Sequence, residues 1–359
     1  MAEAETQPTM KAIAVAHANR GGPDKLVAKA VPKPGAPGGY DVLVRIKAAS
    51  VNPVDIKVRA GTYDDYPDYY TRVPRPDQIC GFDGAGLVEA VGPDVRALAP
   101  GDAVFFSGSP VRQGSDAEWE LVDSRSVAAK PERLGWAQAA SMPLTWITAW
   151  EALVERLEIR KGEEAALLII NGAGGVGSMA SQIARHVLNL PVVTTTASRP
   201  ETQSFSKEMG ATHIVNHRQD LKPQIDDLNL DVRLKYIFIT HSTDTYLATC
   251  AAVAAPFGKV CSIVQGKIPM YGTEFMAKSL TFVWALLGTK PYYGVDAESH
   301  GRILKQLKEL VDEGTVKCTL RQTLRMDVPG LRKAHEIIEA GGSIGKIGLL
   351  VPEDGTAFA

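Results

Sequence analysis

The run Asn171-Gly172-Ala173-Gly174-Gly175-Val176-Gly177 constrains this chain more than any other stretch. Gly172, Gly174 and Gly177 stand in G-x-G-x-x-G spacing, which alone is weak evidence because glycine-rich turns are common. The context gives it weight. An apolar run, ALLII, leads directly into the loop, and SMASQIARHVL, with helical character, leads out of it. In that setting Gly172 permits the tight turn, Gly174 lets backbone N–H groups approach a pyrophosphate, and Gly177 allows close packing of helix on sheet. Gly175 and Val176 complete the candidate cofactor-binding loop, and the phosphates would sit at the positive end of the helix. A glycine turn without a ligand is the plain alternative. The strand-loop-helix order favours a dinucleotide.

The end of the next strand bears on which dinucleotide. A site for NAD usually places an Asp or Glu about 20 residues after the loop, on the ribose 2′-hydroxyl. Here the segment reads TTTASRPE, so Ala197, Ser198 and Arg199 occupy the strand end. A hydroxyl and a guanidinium suit a 2′-phosphate, because Arg offers charge-assisted, bidentate contacts. NADPH is therefore the expected cofactor. Glu201 follows Pro200 and belongs to the first turn of the next helix. The competing reading makes Ser198 that helix's N-cap and leaves Arg199 in solvent. His241, just after LKYIFIT, falls at the carboxyl edge of the sheet, where ligands bind in such folds; a loop histidine without a ligand is the alternative.

The loop sits in a chain of 359 residues, long enough for two domains or three. Before about Pro131, short alternating strands (KAIAVA, DVLVRIKAASV, GLVEAVG, GDAVFF) are broken by Gly and Pro, the pattern of an antiparallel β domain. GWAQAASMPLTWITAWEALVERL then reads as helix with a break at Pro143. From Ala165, apolar strands alternate with helices, which implies a doubly wound parallel sheet of the Rossmann kind, an α/β fold. After His300 come a helix, short strands, the helix around LRKAHEIIEAG and a last strand, KIGLLV. A net charge of −2 gives no general pull toward nucleic acid or anionic membrane. No apolar run is long enough to span a bilayer. The acidic start, MAEAETQPT, reads as a frayed tail and not as a secretory signal. Cys80, Cys250, Cys261 and Cys318 form no CxxC pair, so reduced thiols and a cytoplasmic location are expected.

With these stretches in view the chain resembles the medium-chain dehydrogenases and reductases. ASVNPVDIKVRAG from Ala49, GFDGAGLVEAVGPDV from Gly81, VFF near Val104 and INGAGGVGSMASQIAR from Ile170 carry the resemblance. They look like the quinone-reductase-like branch, whose members are often named zinc-type alcohol dehydrogenase-like. The resemblance implies a GroES-like β-rich catalytic domain over residues 1–143, a Rossmann NADP-binding domain over 144–295, and a return to the first domain over 296–359. The cofactor is then expected in the cleft between the two domains. In zinc alcohol dehydrogenases the three catalytic ligands fall at positions matching Asn52, Phe82 and Leu144. An amide, a phenyl and an isobutyl group cannot supply the donors zinc requires, and the family's four-cysteine structural loop is missing. The expectation is a site with no metal.

Without a Lewis acid, reduction of an isolated carbonyl loses its usual electrophile. Conjugate reduction asks less, since hydride adds to the β-carbon of an enone or quinone and a donor or water supplies the proton. The resemblance implies the same chemistry. It also assigns Asn52, Asp55 and Tyr63 to the substrate cleft as candidate catalytic residues, and Thr148 to the nicotinamide. Each has a structural alternative: Asn52-Pro53-Val54-Asp55 is a good helix start, and Tyr63 is equally read as a half-buried aromatic with a solvated hydroxyl. Lys57 reads more readily as a solvated helix lysine than as a charge near the cleft. The tyrosine-rich segment 63–76 could be a lid, a packed wall or an oligomer contact. The expected partner is a small-molecule substrate, with homodimer formation left open. Two rivals stand beside the enone or quinone reductase: a metal-free carbonyl reductase or alcohol dehydrogenase, and a non-catalytic NADPH- or RNA-binding protein on the same scaffold.

Overall fold

The computed structural model describes residues 8–64, 72–269 and 272–359. The N-terminal tail to Gln7, and residues 65–71 of the tyrosine-rich segment, lie outside the described residues. The chain divides into two compact units. The first comprises Met1–Leu144, Gly288–Gly314 and Cys318–Ala359; the second comprises Thr145–Leu287 and Thr315–Lys317. The first unit thus resumes at Gly288, before the position 296 drawn from sequence.

In the first unit the strands are β1 (Thr9–Ala16), β2 (Val27–Pro32), β3 (Asp41–Val51), β4 (Asp77–Ile79), β5 (Asp83–Val91), β6 (Ala103–Ser107), β7 (Trp119–Asp123) and β8 (Val127–Ala129). β2, β1 and β4 make a small antiparallel sheet. The long β3 lies between β5 and β7 in a larger one, as its run of alternating Val, Leu and Ile predicts. Val42, Val44 and Ile46 of β3 pack with Val88, Val104 and Phe106 in a closed apolar cluster. Helix α1 (Pro53–Ala60) follows β3 directly. It opens on Pro53 at the first helical position and stops at Gly61, whose left-handed φ of 77° ends the helix. α2 (Trp136–Ala140) and α3 (Pro143–Trp150) are separate, with the break where Pro143 begins the second.

The second unit holds β9 (Ala166–Ile170), β10 (Val192–Thr196), β11 (His213–Val215), β12 (Leu234–Ile239), β13 (Lys259–Ser262) and β14 (Thr281–Trp284). They form one parallel sheet in the order β11-β10-β9-β12-β13-β14. Every residue of β9 is buried, as a central strand covered on both faces requires. α4 (Gly175–Gln182) leaves β9 through the glycine loop, and α5 (Pro200–Glu208) leaves β10. The strand order reverses direction between β9 and β12, so their carboxyl ends mark the switch point where such sheets bind ligands.

The chain's return to the first unit adds β15 (Leu320–Arg325), the helix Val328–Glu339 and β16 (Lys346–Leu350). β16 pairs antiparallel with the end of β3. Leu331 and Ala334 of the helix join Ile13, Val51 and Leu349 in a second apolar cluster. His335 lies fully buried beside Arg59 of α1, with Nδ1 3.3 Å from a guanidinium nitrogen. Arginine can only donate, so Nδ1 accepts and the ring proton sits on Nε2, which has no partner. Burial, then the Arg59 charge, pushes the His335 pKa down to about 3. Unfolded histidine takes up a proton near pH 6.5 and the folded ring does not, so stability falls as pH drops between these values. The expected loss is about 2.3 kcal/mol from pH 6.5 to 4.5, since the slope starts at half of about 1.36 kcal/mol per unit, where the unfolded ring is half protonated, and rises toward the full value. Denaturant unfolding should show wild type losing that much more than His335→Gln over this range. Parallel pH profiles would refute the assignment.

Candidate active site

The glycine loop folds by close approach, and the left-handed residue in it is Asn171, at φ 67°, where the sequence pointed to Gly172 for the turn. Asn171 tolerates that conformation better than most side chains do. Gly172 serves instead to let β10 come near: a Cβ there would lie 2.4 Å from Cβ of Thr195. The Asn171 amide donates to the Thr196 hydroxyl at 2.8 Å, tying loop to strand. Gly174 is the N-cap of α4 in extended conformation. A Cβ on Gly177 would meet the Asn171 carbonyl oxygen at 2.2 Å, so the first turn of α4 is pressed onto the loop. Gly175 and Val176 lie half-buried in that first turn, whose N–H groups have no intrahelical acceptor. Unbonded N–H groups at the positive end of a helix that leaves a central parallel strand fit a pyrophosphate.

At the end of β10 the helix cap is Arg199, not Ser198. Pro200 takes the first helical position, which makes the preceding residue the cap, and Thr202 Oγ1 accepts from the Arg199 amide at 3.1 Å. Ser198 lies half-buried beside this cap. The Arg199 guanidinium pairs with Glu201 at 2.8 Å, with both side chains partly in solvent. His217 and Arg218 follow β11, and His241 follows β12; all three are exposed. After partial burial, the charges of Arg218, His241 and Arg199 hold the His217 pKa below its usual value. Four basic side chains therefore share the carboxyl edge of adjacent strands. His217 and Arg218 were missed in the sequence, although basic residues directly after a parallel strand are a usable signal. Next to His241, Thr240 Oγ1 donates to the Ile170 carbonyl at 2.7 Å and links the ends of β12 and β9.

In the first unit, Asn52 and Asp55 are buried. Asp55 caps its own helix start, accepting from the Asn52 amide at 2.8 Å, and its other oxygen accepts from the Gly81 and Phe82 amides at 2.8 and 3.2 Å. Burial nevertheless raises its pKa to about 6 against these donors. Asn52 stands at the N-cap by position, yet its side chain serves elsewhere. Nδ2 donates to Asp83 Oδ2 at 2.7 Å, and Oδ1 accepts from the Lys346 ammonium. Lys57 is half-buried and its pKa is lowered by burial, which departs from a fully solvated lysine. Tyr63 is half-buried in the turn after Gly61. Thr148 is buried on α3. The chain passes from the first unit into the second within this helix, between Leu144 and Thr145.

The positions matching zinc ligands do not suit the metal. The Asn52 amide is spent on Asp83 and Lys346, Phe82 presents a ring, and Leu144 gives its amide to Asp83 Oδ1 at 2.7 Å. Among the described residues no group of His, Cys, Asp or Glu is arranged to hold a metal ion, and no helix is long and apolar enough to cross a membrane.

Comparison with known proteins agrees with this architecture. Residues 38–147 match the alcohol dehydrogenase GroES-like domain family, and residues 175–299 match the zinc-binding dehydrogenase family. A zinc-type alcohol dehydrogenase-like protein of Staphylococcus epidermidis is 38% identical over 87% of this chain and 90% of its own length. The chloroplastic NADPH-dependent alkenal/one oxidoreductase of Arabidopsis thaliana is 30% identical over 85% of this chain and 71% of its own. A solved structure of a candidate zinc-dependent alcohol dehydrogenase from Rhizobium etli CFN 42 superposes with a TM-score of 0.87 at 41% identity, covering 96% of this chain and 99% of that one. A glycine-loop parallel sheet and a GroES-like unit define a nicotinamide-cofactor oxidoreductase. The chain belongs to the medium-chain dehydrogenase/reductase superfamily, in its quinone-reductase-like branch.

Proposed function

We propose that this protein is an NADPH-dependent reductase of activated C=C bonds, as in enones, or of quinones, and that it works without zinc. The observation that carries the reading is the basic cluster at the sheet's carboxyl edge, in which the two guanidinium groups carry the charge. Arg199, His217, Arg218 and His241 gather beside the glycine loop, and no acid stands at the end of β10. In this reading the N–H groups of Gly175, Val176 and Gly177 in the first turn of α4 receive the pyrophosphate, and Ser198 with Arg199 receives the 2′-phosphate. The exposed pair with Glu201 is a weak competitor, since such pairs contribute about 0–1 kcal/mol. Bound nicotinamide supplies a hydride. Thr148 packs against it, and the Tyr63 phenol donates to oxygen as charge develops there. Asn52 and Asp55 act one step back, holding the start of α1. The name of the Arabidopsis relative, an NADPH-dependent alkenal/one oxidoreductase, supports the same substrate class.

Arg199→Ala tests the cofactor. A charge-assisted hydrogen bond contributes about 1.5–3 kcal/mol, so NADPH affinity should fall by roughly 10- to 100-fold. NADH affinity should stay within about twofold, and adding Ser198→Ala should narrow the preference further. Equal affinity of the wild type for both cofactors would sink the NADPH assignment. Turnover of an enone separates the chemistries: a saturated ketone supports conjugate reduction, and an allylic alcohol supports a metal-free carbonyl reductase. NADPH binding with no turnover on a broad panel would mark a non-catalytic binder.

A further inference from the structure

Asp83 and Lys346 form a charge pair inside the first unit, 3.3 Å apart and withdrawn from solvent. Each begins a strand, β5 and β16 respectively, whose other residues are apolar or glycine apart from the exposed Glu89. All of their hydrogen-bonding capacity is directed to a few neighbours. Asp83 Oδ2 accepts from Ser50 Oγ and Asn52 Nδ2, each at 2.7 Å, and from Lys346. Its Oδ1 accepts from the Leu144 amide, also at 2.7 Å. The three ammonium protons of Lys346 have three acceptors: the Val51 carbonyl at 2.9 Å, Asn52 Oδ1 and Asp83 Oδ2.

Two of these contacts lie at helix starts. Asn52 is the residue from which α1 departs, and α1 leads through Gly61 into the turn bearing Tyr63. The Leu144 amide belongs to the first turn of α3, where N–H groups lack intrahelical acceptors, and α3 carries Thr148 one turn on. One carboxylate thus fixes the beginnings of the helix that leads into the Tyr63 turn and of the helix that carries Thr148. The lysine holds that carboxylate and the Asn52 amide at once. Burial pushes the Asp83 carboxyl pKa up and the Lys346 ammonium pKa down, and each is the other's chief electrostatic counterweight. A buried ion pair is weak evidence for stability, since apolar side chains of similar volume often replace one at no cost in folding. What such a replacement could not supply is the pinning of Asn52 and of the Leu144 amide.

We propose that Lys346 and Asp83 are positioning residues for the reaction, setting Tyr63 and Thr148 through the starts of α1 and α3. The inference rests on the reading of the protein as an enone or quinone reductase. Its test compares wild type with the apolar pair Asp83→Leu plus Lys346→Met, by kinetics on an accepted enone or quinone and by NADPH titration. The apolar pair should fold cooperatively with a lowered Tm, because Ser50, Asn52 and the Leu144 amide lose buried partners. It should bind NADPH within about twofold of wild type, and lose at least about tenfold in kcat. Adding Tyr63→Phe to it should cost less than Tyr63→Phe costs alone, because residues acting as a unit are non-additive. A role confined to folding would leave kcat unchanged and the two effects additive. Should the apolar pair not fold, Ser50→Ala removes a single donor from Asp83, and a fall of about threefold in kcat with unchanged NADPH affinity is expected. Full kcat in the apolar pair, or in Ser50→Ala where that pair does not fold, overturns the proposal alone. A wild type that binds NADPH and reduces nothing overturns the functional reading and this proposal together.

Discussion

Gly177→Ala is expected to weaken NADPH and NADH binding alike, by at least about 100-fold, which corresponds to about 2.7 kcal/mol. The methyl group would lie 2.2 Å from the Asn171 carbonyl oxygen and 2.9 Å from the Gly172 Cα. Both are backbone atoms, so no rotamer change relieves the overlap and the loop itself must move. Overpacking of this kind costs about 1–3 kcal/mol in stability, and here the displaced segment is the proposed phosphate cradle. Gly174→Ala should be milder for folding, because its nearest contact, at 2.8 Å, is the Asn171 side-chain amide, which can turn away. Fluorescence titration with both cofactors separates this from the Arg199 effect: loss at Gly177 is common to both, whereas loss at Arg199 falls on NADPH. Cofactor binding by Gly177→Ala within about tenfold of wild type would remove the loop from the binding site.

The contrast between these glycines shows what the sequence could convey. Spacing and flanking runs announced a strand, a loop and a helix, and α4 and β9 lie where expected. The division of labour inside the loop was not legible. The conformation that usually calls for glycine falls on Asn171, and Gly172 is small because Thr195 approaches from the neighbouring strand. That contact joins residues distant in sequence, so no local pattern encodes it. The same holds at α5. Ser198 looked the better cap by residue type, but Pro200 set the helix start one residue later and Thr202 reached back to Arg199.

In the first unit, the alternation in β3 and the break before Pro143 were readable because each is a local property. The Asn-Pro-x-Asp signature also placed the start of α1 correctly, and Asp55 does close that helix start. The destination of the Asn52 side chain was hidden, because its partners Asp83 and Lys346 come from strands far along the chain. A hint existed: a lone aspartate in a glycine-rich apolar run and a lone lysine opening KIGLLV are charges in strands that otherwise ask to be buried. Recognising them as partners required knowing that β3 lies between β5 and β16, which is a fact of topology.

Tyr63→Phe is expected to lower kcat by about 100- to 1000-fold on an enone or quinone, with NADPH affinity unchanged. Loss of one donor to a developing oxyanion costs about 2.7–4 kcal/mol in sites of this kind, and a water able to take the place would move the loss toward the lower figure. The turn that presents the phenol is held on both sides. Gly61 ends α1 in the left-handed region, and Asp64 is bound by Arg20, whose other nitrogen reaches Gln78 at 2.8 Å. Arg20 is itself nearly buried, so this anchor is less exposed to competition from water than a surface pair. Removing one hydroxyl does not touch those contacts, and an unchanged Tm alongside a fall in rate would show that the effect reports on the phenol and not on the turn. The partition between parameters matters as much as the size: an interaction made only in the transition state lowers kcat and kcat/KM together, whereas one that merely binds substrate raises KM alone. Unchanged turnover on several accepted substrates would take Tyr63 out of the chemistry and leave solvent as the proton source.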